Sequence, residues 1–175
     1  MDPSIRKAAL LALLIAVVGP TFAGTDPMVA VGDTPPDALG AGRDGQEVLI
    51  SAQHGKVVVV TFWASWCGYC RQELPVLAGL QQAAGKGRVE VIAVNYEDDL
   101  DVYRALSRKL KNVQLTLTRD ASGRIGEAFG VRGIPHLFVI GKDGKVAFQK
   151  TGYGEESIQL ILDAVNAELA KPAET

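Results

Sequence analysis

Cys67 and Cys70 are the only cysteines in this chain of 175 residues, and two residues separate them. A crosslink gains most by closing a long loop, so a ring this small staples almost nothing. The pair suits chemistry better: a dithiol that closes to a disulfide and reopens, exchanging two electrons with another thiol–disulfide couple. It lies in the run Phe62-Trp63-Ala64-Ser65-Trp66-Cys67-Gly68-Tyr69-Cys70-Arg71, where a strand pattern gives way to a helical one. On such a turn Cys67 opens the helix, and unpaired N–H groups with the helix dipole favour its thiolate, the attacking species. Cys70 lies one turn further on, within reach to resolve a mixed disulfide. Half a zinc site is the competing use of such a pair, and the sequence has no second pair to complete one.

The elements that must position this turn can be read from periodicity. Lys56–Trp63 is a β-branched run that reads as a buried central strand. A helix is expected over Cys67–Ala84, with Leu74, Leu77 and Leu80 at helical spacing and Pro75 as a kink. Strands follow at Val89–Asn95 and His136–Ile140, Val113–Leu117 reads as a short strand or an extended link, and Gly141–Gly144 turns His136–Ile140 into a hairpin with Lys145–Lys150. Helices are expected at Asp99–Lys111, Ser122–Phe129 and Glu155–Leu169, with Asp120 or Ser122 capping the second. A short strand is expected at Glu47–Ser51, and the Gly/Pro-rich residues 24–44 read as a linker and irregular start. This order predicts an α/β fold, a central mixed sheet with helices on both faces, in one domain over residues 45–171.

With these features in place the sequence resembles the thioredoxin superfamily, and within it the exported TlpA-like and ResA-like disulfide reductases, over roughly residues 30–170. The resemblance rests on Trp63-Ala64-Ser65-Trp66-Cys67…Cys70-Arg71-Gln72-Glu73-Leu74-Pro75, on Gly130-Val131-Arg132-Gly133-Ile134-Pro135, and on the closing hairpin and helix. It implies a thioredoxin-like fold, a cis-proline at Pro135 facing the cysteines, and backbone at Ile134 that pairs with an extended substrate strand. It also implies that Trp66, Gly68 and Tyr69 shape the site. Classical thioredoxins carry a buried Asp where this chain has Thr61. ResA-like proteins place an acidic residue just past the following strand, where Glu97 and Asp98 stand here, and Glu97 is the preferred candidate for acid–base work. His136, after Pro135, either sits near Cys67 and favours its thiolate or points away along its strand. Arg71 and Glu73 on the first turns of the helix read as solvated, and the acidic run at residues 97–101 favours a helix N-terminus.

The resemblance implies an enzyme that reduces disulfides in exported proteins, apocytochrome c among them. A membrane electron donor of the DsbD/CcdA type would recharge it, and no cofactor is needed beyond the cysteine pair. A periplasmic oxidase or isomerase uses the same residues at a higher potential, and Gly68-Tyr69 also occurs in bacterial disulfide isomerases. A copper chaperone using Cys67, Cys70 and His136 is a third reading. The N-terminus fits export: Arg6 and Lys7 precede an apolar run from Ala8 to Val18, and Thr21-Phe22-Ala23 offers a cut site. Residues 1–23 are therefore read as a signal peptide or an uncleaved anchor, placing the domain in the periplasm or cell envelope. With 47% apolar and 22% charged residues and a net charge of -2, the chain reads as an ordinary globular monomer with no nucleic-acid partner.

Overall fold

The computed structural model describes residues 28–172. The signal or anchor expected at residues 1–23 lies outside the described residues. Seven strands and four α-helices follow in chain order: β1 (Ala38–Ala41), β2 (Glu47–Leu49), β3 (Val57–Trp63), α1 (Gly68–Ala84), β4 (Val89–Tyr96), α2 (Leu100–Lys109), β5 (Thr116–Asp120), α3 (Arg124–Phe129), β6 (His136–Ile140), β7 (Val146–Thr151) and α4 (Glu155–Ala170). They form one mixed sheet in the order β2-β1-β5-β4-β3-β6-β7. β3, β4 and β5 run parallel, while β6 is antiparallel to β3 with Phe62 opposite His136.

The β-branched run becomes β3 because every residue from Val57 to Trp63 is buried, and a central strand covered on both faces needs apolar side chains at every position. Alternation divides them. Val57, Val59 and Trp63 join Leu74, Leu77 and Leu80 of α1, Ile161 and Val165 of α4, and both cysteines on one face. Val58, Val60 and Phe62 meet Leu39, Phe129 and Phe138 on the other. There Phe62, Phe129 and Phe138 pack ring to ring at centroid separations of 5.2–6.2 Å.

Two elements differ from the sequence reading. The segment read as linker up to residue 44 contributes β1, so the sheet begins at Ala38 and not beyond residue 45. Gly40 permits this: its φ is +88°, and a Cβ there would lie 2.7 Å from the Arg119 carbonyl oxygen across the β1–β5 pair. β5 starts three residues later than Val113, because Leu117, Thr118 and Asp120 pair with β4 while Val113 packs in the preceding link.

Candidate active site

Cys67 caps the N-terminus of α1 with extended backbone (φ −82°, ψ 106°), and its Sγ accepts a hydrogen bond from the Cys70 backbone N–H at 3.1 Å. The two sulfurs are joined in a disulfide. The half-in backbone at an N-cap leaves the first helical N–H groups without carbonyl partners, and here a sulfur takes one of them. Cys67 is 6% exposed and Cys70 is fully buried. Around Cys67 stand Trp66 and Tyr69, exposed by 68% and 61%. Gly68 starts the helix, and a Cβ there would meet Arg71 Nη2 at 4.0 Å. The Ile134–Pro135 peptide is cis, and β6 begins at the next residue, at the end of the sheet where β3 gives way to the cysteine turn. The Pro135 carbonyl accepts from Gly152 N–H at 2.7 Å, fixing that loop to the end of β7.

Glu73 is the residue the sequence reading placed wrongly. It is 1% exposed, not solvated, and accepts a hydrogen bond from Thr61 Oγ1 at 2.6 Å. The buried stripe of α1 is Cys70, Glu73, Leu74, Leu77, Leu80 and Gln81, so Glu73 is in phase with the core. Three residues beyond Cys70 on a helix, its Cβ lies about 5–6 Å from that of the cysteine. Burial pushes its carboxyl up to about 7, against the opposing pull of the Thr61 hydroxyl. Thr61 stands where the resemblance puts the buried Asp of classical thioredoxins, and here a carboxylate reaches that side chain from the helix. Glu73 also helps raise the Tyr153 phenol, after burial.

Of the two carboxylates just past β4, Glu97 lies away from the cysteines and Asp98 beside their loop. Glu97 is exposed, with left-handed backbone at φ 58°, and its carboxylate lies against Gly123 before α3. That turn carries it away from the cysteine loop and leaves Asp98 to face it. Asp98 is 6% exposed, and its carboxylate accepts from Ser65 N–H (2.8 Å), Ser65 Oγ (2.7 Å) and Asn95 Nδ2 (2.7 Å). Its carbonyl accepts from Nε and Nη2 of Arg119. Asp98 therefore clamps the residue two before Cys67. Asp98→Ala is expected to lose about 2–3 kcal/mol, because Ser65 and Asn95 keep donors with no acceptor. Urea unfolding checks the stability loss, and faster alkylation of reduced Cys67 checks the loosened loop; unchanged values for both remove the clamp.

His136 faces the other side of the sheet from the cysteines. Its ring stacks on Phe138 at 4.4 Å and 20°, its Nε2 lies 3.4 Å from Gln149 Oε1, and burial lowers its pKa below the ordinary value. It supplies no imidazolium to Cys67, because strand alternation puts it in phase with Phe138 and not with Leu137 of the cysteine face. For the same reason Cys67, Cys70 and His136 do not converge as a copper site would require.

Comparison with known proteins points the same way. The Redoxin family model matches residues 30–165. The chain is 32% identical over 167 residues to thiol-disulfide oxidoreductase ResA of Geobacillus thermodenitrificans, covering 92% of this chain and 95% of the relative. It is 33% identical over 125 residues to thiol:disulfide interchange protein CycY of Rhizobium leguminosarum, covering 70% of this chain and 65% of that one. Among solved structures, a candidate thiol:disulfide interchange protein DsbE from Chlorobium tepidum superposes with a TM-score of 0.72 at 32% identity, covering 81% of this chain and 99% of that one.

Proposed function

The chain belongs to the Redoxin family of the thioredoxin superfamily and is a thiol–disulfide oxidoreductase, and from that premise we propose that it reduces disulfides of exported proteins in the cell envelope. The observation that carries the reading is the Cys67–Cys70 pair at the N-cap of α1, with the more exposed sulfur at the helix end and the buried one behind it. The Cys67 thiolate attacks one sulfur of the substrate disulfide, and the other sulfur leaves as a thiolate that takes up a proton. Cys70, deprotonated, attacks Cys67 Sγ and expels the second substrate sulfur. The substrate gains two electrons and two protons, and the protein is left with the disulfide.

Glu73, in phase with buried Cys70 and half-ionised near neutrality, is placed to take the Cys70 proton. Trp66 and Tyr69 offer apolar surface to the incoming chain, and the Ile134 backbone next to Pro135 offers an edge to pair with it. A membrane dithiol of the DsbD/CcdA type returns the two electrons, and apocytochrome c is a substrate of the matching chemistry. Residues 1–23 act as the signal or anchor for export, and the chain works as a monomer with no cofactor beyond its cysteines. Among the described residues no helix is long and apolar enough to cross a membrane.

The reduction potential of the pair tests the direction of electron flow. The full-length chain, equilibrated with dithiothreitol or glutathione buffers and trapped for free thiols, is expected at or below the glutathione poise of about −220 to −260 mV. A value near the roughly −120 mV of a strong periplasmic oxidant sinks the reductase reading and makes the enzyme an oxidase or isomerase.

A further inference from the structure

Seven of the chain's 18 lysines and arginines gather around α2, although the chain as a whole is slightly acidic. On one side of the helix a groove of about 800 Å³ runs between α2 and the β1–β2 turn. Tyr103 and Leu100 contribute apolar surface to it, and Arg43, Arg104, Arg108, Lys111 and Arg119 supply its charge. On the other side a cleft of about 270 Å³ is lined by Leu74, Leu106 and Leu110, with Lys109 and Arg71 as its cations. No acidic residue lines either concavity among the described residues. The acids of α2 and its cap, Asp99 and Asp101, are at the opposite end of the helix from Arg108, Lys109 and Lys111.

Among the described residues these cations have no carboxylate partner: none of the seven is in an ion pair. Arg43 donates to the Leu110 carbonyl and Arg119 to the Asp98 carbonyl, so both keep an uncompensated positive charge at a fixed position. Gathering like charges costs self-repulsion, and among the described residues no carboxylate lines either concavity to offset it. The smaller cleft includes Ser65 and Trp63 of the cysteine turn, and Arg71 directly follows Cys70. The basic surface is therefore continuous with the site.

We infer that the α2 face is a docking surface for an acidic, partly apolar polypeptide segment of the protein whose disulfide Cys67 attacks. This deepens the reading given under the proposed function and rests on it for the disulfide. The charge selects carboxylates, and the apolar lining selects chain rather than free ions. Two concavities flanking a helix fit an extended segment better than a membrane, because Tyr103 and Leu106 lie recessed in the grooves; of the apolar residues of α2, Leu100 and Val102 near its start are the exposed ones.

Two readouts separate the inference from the reading beneath it. Binding of a fluorescein-labelled, cysteine-free peptide of alternating Glu and Leu to the oxidised full-length chain is followed by anisotropy, beside peptides with Ser or Lys in place of Glu. The acidic peptide is expected to bind at least about tenfold more tightly than the neutral one at low salt, with the preference fading toward 0.5 M salt. The double variant Arg104→Glu/Arg108→Glu is expected to lose or invert that preference. Equal affinities, or a preference untouched by charge reversal, overturn the inference. Binding to phosphatidylglycerol vesicles with no peptide preference also overturns it, in favour of a membrane-facing surface. Separately, the same peptides carrying a disulfide ring are offered to the reduced enzyme. Failure to reduce any of them overturns the reductase reading alone, while the anisotropy result still decides docking.

Discussion

Cys70→Ser is expected to turn the enzyme into a trap: incubated with a disulfide substrate, the reduced variant accumulates a one-to-one mixed disulfide on Cys67 that dithiothreitol releases. Cys67→Ser is expected to form no adduct at all. Both variants are expected to lose turnover by more than about 1,000-fold, as removal of a covalent nucleophile or its resolving partner does. The asymmetry follows from position. Cys67 ends the helix beside exposed Trp66 and Tyr69, whereas Cys70 has no accessible surface. An external sulfur reaches the first far more easily than the second. Mass spectrometry of the quenched mixture distinguishes the two variants, and a trapped adduct on Cys70 in the Cys67→Ser protein reverses the assignment.

Glu73→Gln is expected to flatten two pH profiles. The carboxyl sits at about 7 in the folded chain against an ordinary value of 4.5, and burial is the main cause. The folded state therefore holds its proton more tightly than the unfolded state does. As pH rises from about 4.5 to 7, the unfolded chain ionises first and stability falls. Above 7 the whole cost is present, roughly 3 kcal/mol. Glutamine has no such titration, and its carbonyl still accepts from Thr61 Oγ1. The variant is expected to gain stability relative to the parent across that window, by up to about 2–3 kcal/mol at pH 8. Urea unfolding between pH 4 and 8 measures the difference, and parallel curves for the two proteins discard the buried-carboxylate account. In single-turnover kinetics the resolving step is expected to slow by roughly 100-fold and to lose its inflection near 7. A variant more stable yet slower is the signature of a group kept for chemistry.

Much of this was legible in the sequence, for physical reasons. Val57–Trp63 could be read as a central strand because burial on both faces demands an unbroken apolar run, and only a strand of that length fits it. The cysteine turn was legible because a nucleophile at a helix start needs both a strand before it and helical spacing after it. Glu73 was missed although a signal existed. It shares the Cys70-Leu74-Leu77-Leu80 stripe, and an acid inside an apolar stripe is either paired or held near neutral. β1 was not legible: Ala-Leu-Gly-Ala has little strand preference, and its place depends on the close approach of Gly40 to Arg119, 79 residues away in sequence. The exchange of Glu97 for Asp98 turns on one left-handed residue. No local pattern announces a positive φ at a glutamate, so a single residue of ambiguity decided which carboxylate faces the loop.

The sheet itself carries a consequence for how such a protein drifts over generations. Its two faces hold separate interiors, one around Trp63, Glu73 and the sulfurs, the other around Phe62, Phe129 and Phe138. Substitutions among the three phenylalanines are felt as stability, while the electronic surroundings of the sulfurs stay as they were. Substitutions at Thr61 or Glu73 are felt at the sulfurs as well as in stability. A lineage can therefore exchange its aromatic filling for robustness in a hotter or colder habitat without relearning its redox chemistry. A designer who wants a different donor–acceptor balance has one side of one sheet to rewrite.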